Sequence, residues 1–207
     1  KHDEPLLGMA LALNNNVEFN EADAASGEPT ELALFEAAQA VGFDKAALEQ
    51  AAPRVGTLAF DSERQQMTTL HRTAAGVVAY VKGAPERLIP QCVESATVDG
   101  STRVDRAVLL AAADELTEQG YRVLALARRE FPRMPEPLDT GTIERNLTFL
   151  ALVALIDPPR PEVPQAVADC LSAGITPVMI TGDHPGTARA IARRIGICDG
   201  DDEVLTG

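Results

Sequence analysis

The chain contains no tryptophan and few aromatics of any kind: two tyrosines and six phenylalanines, 4% of 207 residues. Apolar residues nevertheless reach 45%, enough for a sizeable core in one large domain, or one domain and part of another. That core has to be packed by alanine-rich helices and Val/Leu strands. Cysteine is scarce: Cys92, Cys170 and Cys198 stand far apart, with no CxxC. An odd, scattered set excludes a disulfide framework and points to a reducing compartment. His2, His71 and His184 have no zinc-ligand spacing. Long apolar runs are missing too. The longest, Phe149 to Ile156, is eight residues, where a bilayer-spanning helix needs about 20. The start, Lys1-His2-Asp3-Glu4-Pro5, has no signal-peptide pattern, so the expectation is a chain that does not insert into a membrane. Positive charge is the last deficit. Eighteen basic residues face 31 acidic ones, for a net charge of −13, and from Asp3 to Asp44 nine acidic residues occur with no Lys or Arg. Such a surface repels nucleic acid and anionic lipid; the acidic stretch reads as a solvated face.

What is present falls into three textures. Leu6 to Leu13 is an apolar helical run stopped by Asn14-Asn15-Asn16. Thr30 to Val41 predicts a helix closed by Gly42, and Asp44 caps a shorter one over Lys45 to Ala52, ended by Pro53. Strands follow over Arg54 to Phe60, Met67 to Arg72 and Val77 to Lys82, with Ala74-Ala75-Gly76 as the turn between the last two. Pro85 opens a helix, Asp105 to Gln119 predicts another that ends at Gly120, and Arg122 to Glu130 predicts a strand before a Pro-rich link, Pro132 to Pro137. From Leu147 the pattern changes. Phe149 to Ile156 suits a parallel strand covered on both faces. Helix Glu162 to Ala173, strand Thr176 to Ile180 and helix Pro185 to Ile195 follow, the alternation of a doubly wound sheet. Two strands are too few for such a sheet, so this part reads as incomplete.

Four stretches carry possible chemistry: Phe60-Asp61-Ser62-Glu63-Arg64, Lys82-Gly83-Ala84-Pro85-Glu86, Asp157-Pro158-Pro159-Arg160, and Met179-Ile180-Thr181-Gly182-Asp183 running into Gly186-Thr187-Ala188. Lys82 ends an apolar strand, so its stem can pack while its charge faces a pocket. Gly83 allows close approach to the backbone, and the helix start at Pro85 favours an anion. Equally, this is an ordinary strand, turn and surface lysine. Phe60 offers a flat partner for a base, or is simply core. Arg64 and Arg122 suit phosphate, or solvent. Thr181 and Gly182 follow an apolar strand, where open α/β sheets bind ligands. Asp183 there is as well explained as a helix cap, and Asp157 follows an apolar strand in the same way.

In this order and at these separations, the four stretches resemble P-type ATPases of the calcium, sodium/potassium and proton pump branch. Lys82 to Glu86 looks like that branch's nucleotide-domain signature; Asp157 to Arg160 and Thr181 to Asp183 look like its phosphorylation-domain signatures. Glu28-Pro29-Thr30-Glu31 and Arg122-Val123-Leu124-Ala125-Leu126 match as well. The resemblance covers essentially the whole chain. It implies an α/β architecture: an α+β nucleotide-binding domain over residues 1–146, with an antiparallel sheet and flanking helices, then a partial haloacid-dehalogenase-like phosphorylation domain over 147–207.

The resemblance also implies roles. Phe60 would stack on adenine, Glu31 would lie at the base side, and Lys82 and Gly83 would line the pocket floor. Arg64, Gln65 and Arg122 would lie on the phosphate side; Gln65 stands where members often have Lys, which removes a possible cation. Thr181 and Gly182 would receive the phosphoryl group, with Asp183 beside them, and Asp157 and Arg160 would lie near the domain junction. ATP would be the ligand, with Mg²⁺ in the intact pump. The partners would be the pump's actuator, phosphorylation and transmembrane domains, at the cytoplasmic face of a bacterial plasma membrane. No DKTGT and no GDGxND occurs in the 207 residues. Phosphoryl transfer needs an in-line nucleophile and a metal, so this chain alone is expected to bind nucleotide without turnover. Two other readings compete: a stand-alone phosphatase of the same core, for which no Asp-x-Asp strand is found, and a non-catalytic interaction module.

Overall fold

The computed structural model describes residues 4–20, 24–156, 159–181 and 185–198. Two compact units divide it. The first takes the chain to Leu110 and resumes from Leu124 to Val153; the second takes Ala111–Val123 and the chain from Ala154 on.

Seven strands form the main sheet. They are β3 (Arg54–Asp61), β4 (Gln66–Thr73), β5 (Gly76–Gly83), β6 (Cys92–Thr97), β7 (Gly100–Arg103), β8 (Arg122–Phe131) and β9 (Leu147–Leu155), in the order β3-β4-β5-β8-β9-β6-β7. A small pair, β1 (Glu18–Phe19) and β2 (Ala25–Ser26), stands apart. The expected antiparallel sheet is present: β3, β4, β5 and β8 pair antiparallel in succession. Side chains alternate across β5, so the two faces of the sheet gather different partners. Val78 and Tyr80 pack with Ala10 and Leu13 of helix α1 (Glu4–Leu13). Val77 and Ala79 pack with Leu70 and Ile143. Val81 joins Leu88, Ile89, Cys92, Ala125 and Leu147, with Leu109 and Leu110 against them. These last two belong to helix α5 (Arg106–Glu118). The α-helices that lie wholly in the first unit, besides α1, are α2 (Pro29–Ala40), α3 (Lys45–Ala51), and the single turns α4 (Pro85–Leu88) and α6 (Thr140–Ile143). Asp44 caps α3 as its sequence predicts, accepting from the Ala47 amide.

Two expectations change. The run from Phe149 is a parallel strand, but it pairs with β6 inside the seven-stranded sheet rather than in a second sheet. Thr176 to Ile180 is not a strand. A strand needs a neighbour for its N–H and C=O groups, and here Val178 is 77% and Ile180 94% exposed. In the second unit, α7 (Val163–Ser172) and α8 (Pro185–Arg194) match their periodicity. Gly120 ends α5 at φ +86, and a Cβ there would stand 2.7 Å from that of Ala190. A conformation rare for L side chains and a close helix contact coincide at this one glycine. No helix among the described residues is long and apolar enough to cross a membrane.

One buried titratable group sets a pH limit on this core. His71, fully buried on β4, lies against Tyr80 and bonds the Ala52 carbonyl through Nδ1 at 3.1 Å. Burial, reinforced by nearby Arg54 and Lys45, outweighs that bond and pushes the imidazole down to about 4. The unfolded chain therefore binds the extra proton first. Stability from neutral His71 is complete above about pH 6.5 and is lost as pH falls toward 4, by about 3 kcal/mol in all. His71→Asn, which keeps a donor near the Nδ1 position, should lose distinctly less stability than the parent between pH 7 and pH 4.5 in urea unfolding. Equal losses would mean that His71 is not the group being charged.

Candidate functional site

The site grows from the last turn of α1. A helix end leaves its final carbonyls without partners and carries partial negative charge. Here the Asn15 side-chain amide donates to the Leu11 and Ala12 carbonyls, and three cations gather on the carbonyls that follow. Lys82 Nζ donates to the Asn14 carbonyl at 2.7 Å. Arg54 donates to the carbonyls of Leu13 and Asn15. Lys45 reaches the Asn15 carbonyl at 3.4 Å and Asn15 Oδ1 at 2.9 Å, and pairs with Glu49 at 3.1 Å. Read from sequence, Asn14-Asn15-Asn16 is only a helix stop, and Lys45 and Arg54 carry no signal of a shared target.

Lys82 is the centre of this cluster. It ends β5, is 7% exposed, and forms an ion pair of 2.6 Å with Glu31 in the first turn of α2. Glu31 also accepts from the Asn16 amide at 2.9 Å. Burial pulls the Lys82 ammonium below its ordinary value, and the bond and charge of Glu31 oppose that pull. The pair holds an amine and a carboxylate ready at the rim of the sheet without leaving either charge unmatched. Lys82 is therefore held in a structured, polar cluster rather than on an open surface.

Phe60 is the contrasting member. It is 63% exposed near the end of β3. Pairing of β3 with β4 shifts register between Leu58 and Asp61, so Ala59 and Phe60 together oppose Met67. Met67 in turn pairs with Lys82. Phe60 and Lys82 thus stand at one level of the sheet, two strand spacings or about 10 Å apart. Met67, buried, lies between them. A bulge of this kind re-aims a side chain, and bulges gather beside functional sites.

Gly83 explains its own identity. A Cβ there would meet Gln66 Cγ at 2.5 Å and the Gln65 carbonyl oxygen at 2.6 Å. Its role is close packing of the β3–β4 turn, whose Gln65 has φ +53 and whose carbonyl accepts from the Ala84 amide at 3.0 Å. Gln65 is thereby a turn residue. Arg64 is engaged too: it donates to Glu144 and to the Ala59 carbonyl. Glu31, Phe60, Arg64, Gln65, Lys82 and Gly83 all fall in the first unit. Arg122, exposed at the start of β8, belongs to the second. So do Arg160, exposed ahead of α7, and Thr181, exposed beyond the segment expected to be a strand. Asp157, Gly182 and Asp183 lie outside the described residues.

A groove of about 1000 Å³ also opens on the first unit, along Glu94, Ser101, Arg128, Arg129, Glu130 and Thr148. It excludes Phe60, Lys82 and Glu31, has no aromatic in its wall, and sets two arginines against two glutamates. It offers no ring to a flat base, and its arginines are engaged, Arg128 with Glu130 and Arg129 with the Thr142 and Arg145 carbonyls. Among the described residues no group of three or more His, Cys, Asp or Glu is placed to hold a metal ion.

Residues 5–162 match the family model described as the P-type ATPase cytoplasmic domain N. The chain is 40% identical over 208 aligned residues to the cation-transporting ATPase pma1 of Synechocystis sp., covering 99% of this chain and 23% of that protein. It is 36% identical to calcium-transporting ATPase 1 of Bacillus cereus, over 98% of this chain and 23% of the relative. It is 40% identical to the sodium/potassium exporting P-type ATPase cta3 of Schizosaccharomyces pombe, over 93% and 19%. The chain therefore spans less than a quarter of the length of these relatives.

Proposed function

The chain belongs to the P-type cation-transporting ATPases and carries their cytoplasmic domain N, and from that premise we propose that it binds ATP between Phe60 and Lys82. The observation that carries the reading is the pairing of an exposed aromatic with a buried amine at one level of the sheet. Phe60 supplies a face for the adenine ring. Lys82, held by Glu31 and the Asn14 carbonyl, supplies charge at the floor. Gly83 lets the β3–β4 turn pack closely against the strand end beside Lys82. Arg64 and Gln65 shape the turn beneath the base, and Arg122 is the cation proposed for the phosphates.

In the whole protein, the nucleotide would be carried to an aspartate of a DKTGT stretch that these 207 residues do not contain. Thr181, Gly182 and Asp183 would meet the phosphoryl group, and Asp157 and Arg160 would lie near the junction. The change from nucleotide-binding to phosphorylation domain is proposed to fall after residue 146. Actuator and transmembrane domains of the same pump are the proposed partners. Mg²⁺ would arrive with ATP and has no assigned ligands on this chain. Of the three relatives, one is named for calcium, one for sodium and potassium, and one for cation transport in general.

Binding should be weak. ATP brings about four negative charges to a chain of net charge −13, and only stacking and a few cations oppose that field. Calorimetric titration of the chain with ATP should give a dissociation constant of order 0.1–1 mM, about −4 to −5.5 kcal/mol, with no release of phosphate. No heat and no shift in melting temperature at 10 mM ATP, or sub-micromolar affinity, would contradict the proposal.

A further inference from the structure

We propose that Glu144 is a positioning residue for the nucleotide site: through Arg64 it fixes the bulge that aims Phe60. The inference rests on the nucleotide reading above and adds to it a residue distant in sequence.

Phe60 stands outside the regular ladder, because β3 and β4 lose register between Leu58 and Asp61. A bulge releases backbone groups from their strand partners. The Ala59 carbonyl is then taken by a side chain: Arg64 Nη2 donates to it. The other arm of the same guanidinium, Nη1, donates to Glu144 Oε1. A planar fork held at both ends is a rigid strut. Glu144 itself is buried at 6% exposure and accepts a second bond, from Thr68 Oγ1 on β4. It follows Ile143, which is wholly buried in the cluster of Leu70, Val77 and Ala79. The anchor point is thus set by the core, not by the surface turn it braces.

The turn is closed by local bonds as well. Asp61 Oδ1 accepts from the Glu63 and Arg64 amides at 3.0 and 2.9 Å, and the Gln65 amide donates to the Asp61 carbonyl at 2.6 Å. These fix residues 61–65 relative to one another. Only the Glu144–Arg64–Ala59 link ties the bulge to the body of the unit through side chains, among the described contacts of these residues. Phe60 is 63% exposed and makes no ring-to-ring contact among the described residues, so its backbone direction decides where its face lies. Removing the anchor should cost base stacking and leave phosphate attraction alone.

The test uses the whole chain and three probes of binding by NMR titration, ATP, adenosine and inorganic triphosphate, with urea unfolding as the control for folding. Glu144→Gln should weaken ATP and adenosine by the same factor, about tenfold as expected for one charged hydrogen bond lost, and leave triphosphate unchanged. Thr68→Val removes Glu144's other partner without touching the strut; it should lower the urea midpoint while adenosine affinity holds. In a Phe60→Ala background, Glu144→Gln should add nothing, since the two act through one contact. If Glu144→Gln fails to fold, Arg64→Lys, which cannot bridge both acceptors, should show the same adenosine-selective loss. Additive effects of Phe60→Ala and Glu144→Gln, or equal losses from Thr68→Val, would overturn the assignment. Phe60→Ala without effect on ATP would instead sink the nucleotide reading on which it rests.

Discussion

Phe60→Ala should weaken ATP binding by about tenfold or more, from the sub-millimolar range to several millimolar, because base stacking on an aromatic is worth roughly 1–3 kcal/mol. Stability should barely change. The ring is 63% exposed, so its loss removes little buried area, and it leaves no polar partner stranded. This combination separates a ligand platform from a core residue: a core phenylalanine cut to alanine costs about 3–5 kcal/mol of stability. Calorimetric titration and thermal melting on the same preparation would read both. A large fall in melting temperature with unaltered ATP affinity would return Phe60 to the core and leave adenine without a platform.

Lys82→Met should show the opposite pattern, losing both stability and binding. It strips Glu31 of its ion-pair partner and the Asn14 carbonyl of its donor. The side chains of the pair are only 9% and 13% exposed, so solvent cannot replace what is lost. Breaking one half of a buried pair costs about 3–5 kcal/mol, most of it from the charge left behind. The Asn16 amide still donates to Glu31, which places the expected loss near the lower end of that range. Adding Glu31→Gln to Lys82→Met removes the stranded charge and should recover about half or more of the lost stability. ATP binding should stay absent in the double variant, since the cation at the floor is gone. Recovered binding in the double variant would show that Lys82 serves the fold alone. The urea midpoint of each variant, measured beside its ATP titration, separates the two roles.

Much of this site is legible in the sequence because its members are local. Lys82-Gly83-Ala84-Pro85 is a strand end, a close approach and a helix start in one run, and the structure assembles it so. The partners of these residues are not local. Nothing in the sequence marks Glu31 as the mate of Lys82, or Glu144 as the anchor of Arg64; both pairings follow from sheet register and helix placement. Arg64 illustrates the cost: alone it suggests a phosphate ligand, whereas the bulge at Ala59 gives it a structural carbonyl to satisfy. The hairpin β6–β7 carries little signal because its strands are mixed and largely exposed, and its two-residue turn is Val98-Asp99, with Gly100 already in β7, rather than the Asn-Gly or Asp-Gly pair that marks such turns. The opposite error occurred at Thr176 to Ile180. Apolar residues there suggest a strand, but a strand is defined by its neighbour, and periodicity says nothing about whether one is present.

The proposed site joins one buried amine and one exposed aromatic face in the binding of a single ligand. Backbone amide shifts of the isotopically labelled chain, followed while ATP is added to saturation, test that directly. The largest changes should fall on Glu31, Phe60, Met67, Lys82 and Gly83, and should saturate along one curve. Changes confined to residues 181–187, or to the groove along Glu94 and Ser101, would place the nucleotide elsewhere and contradict the account.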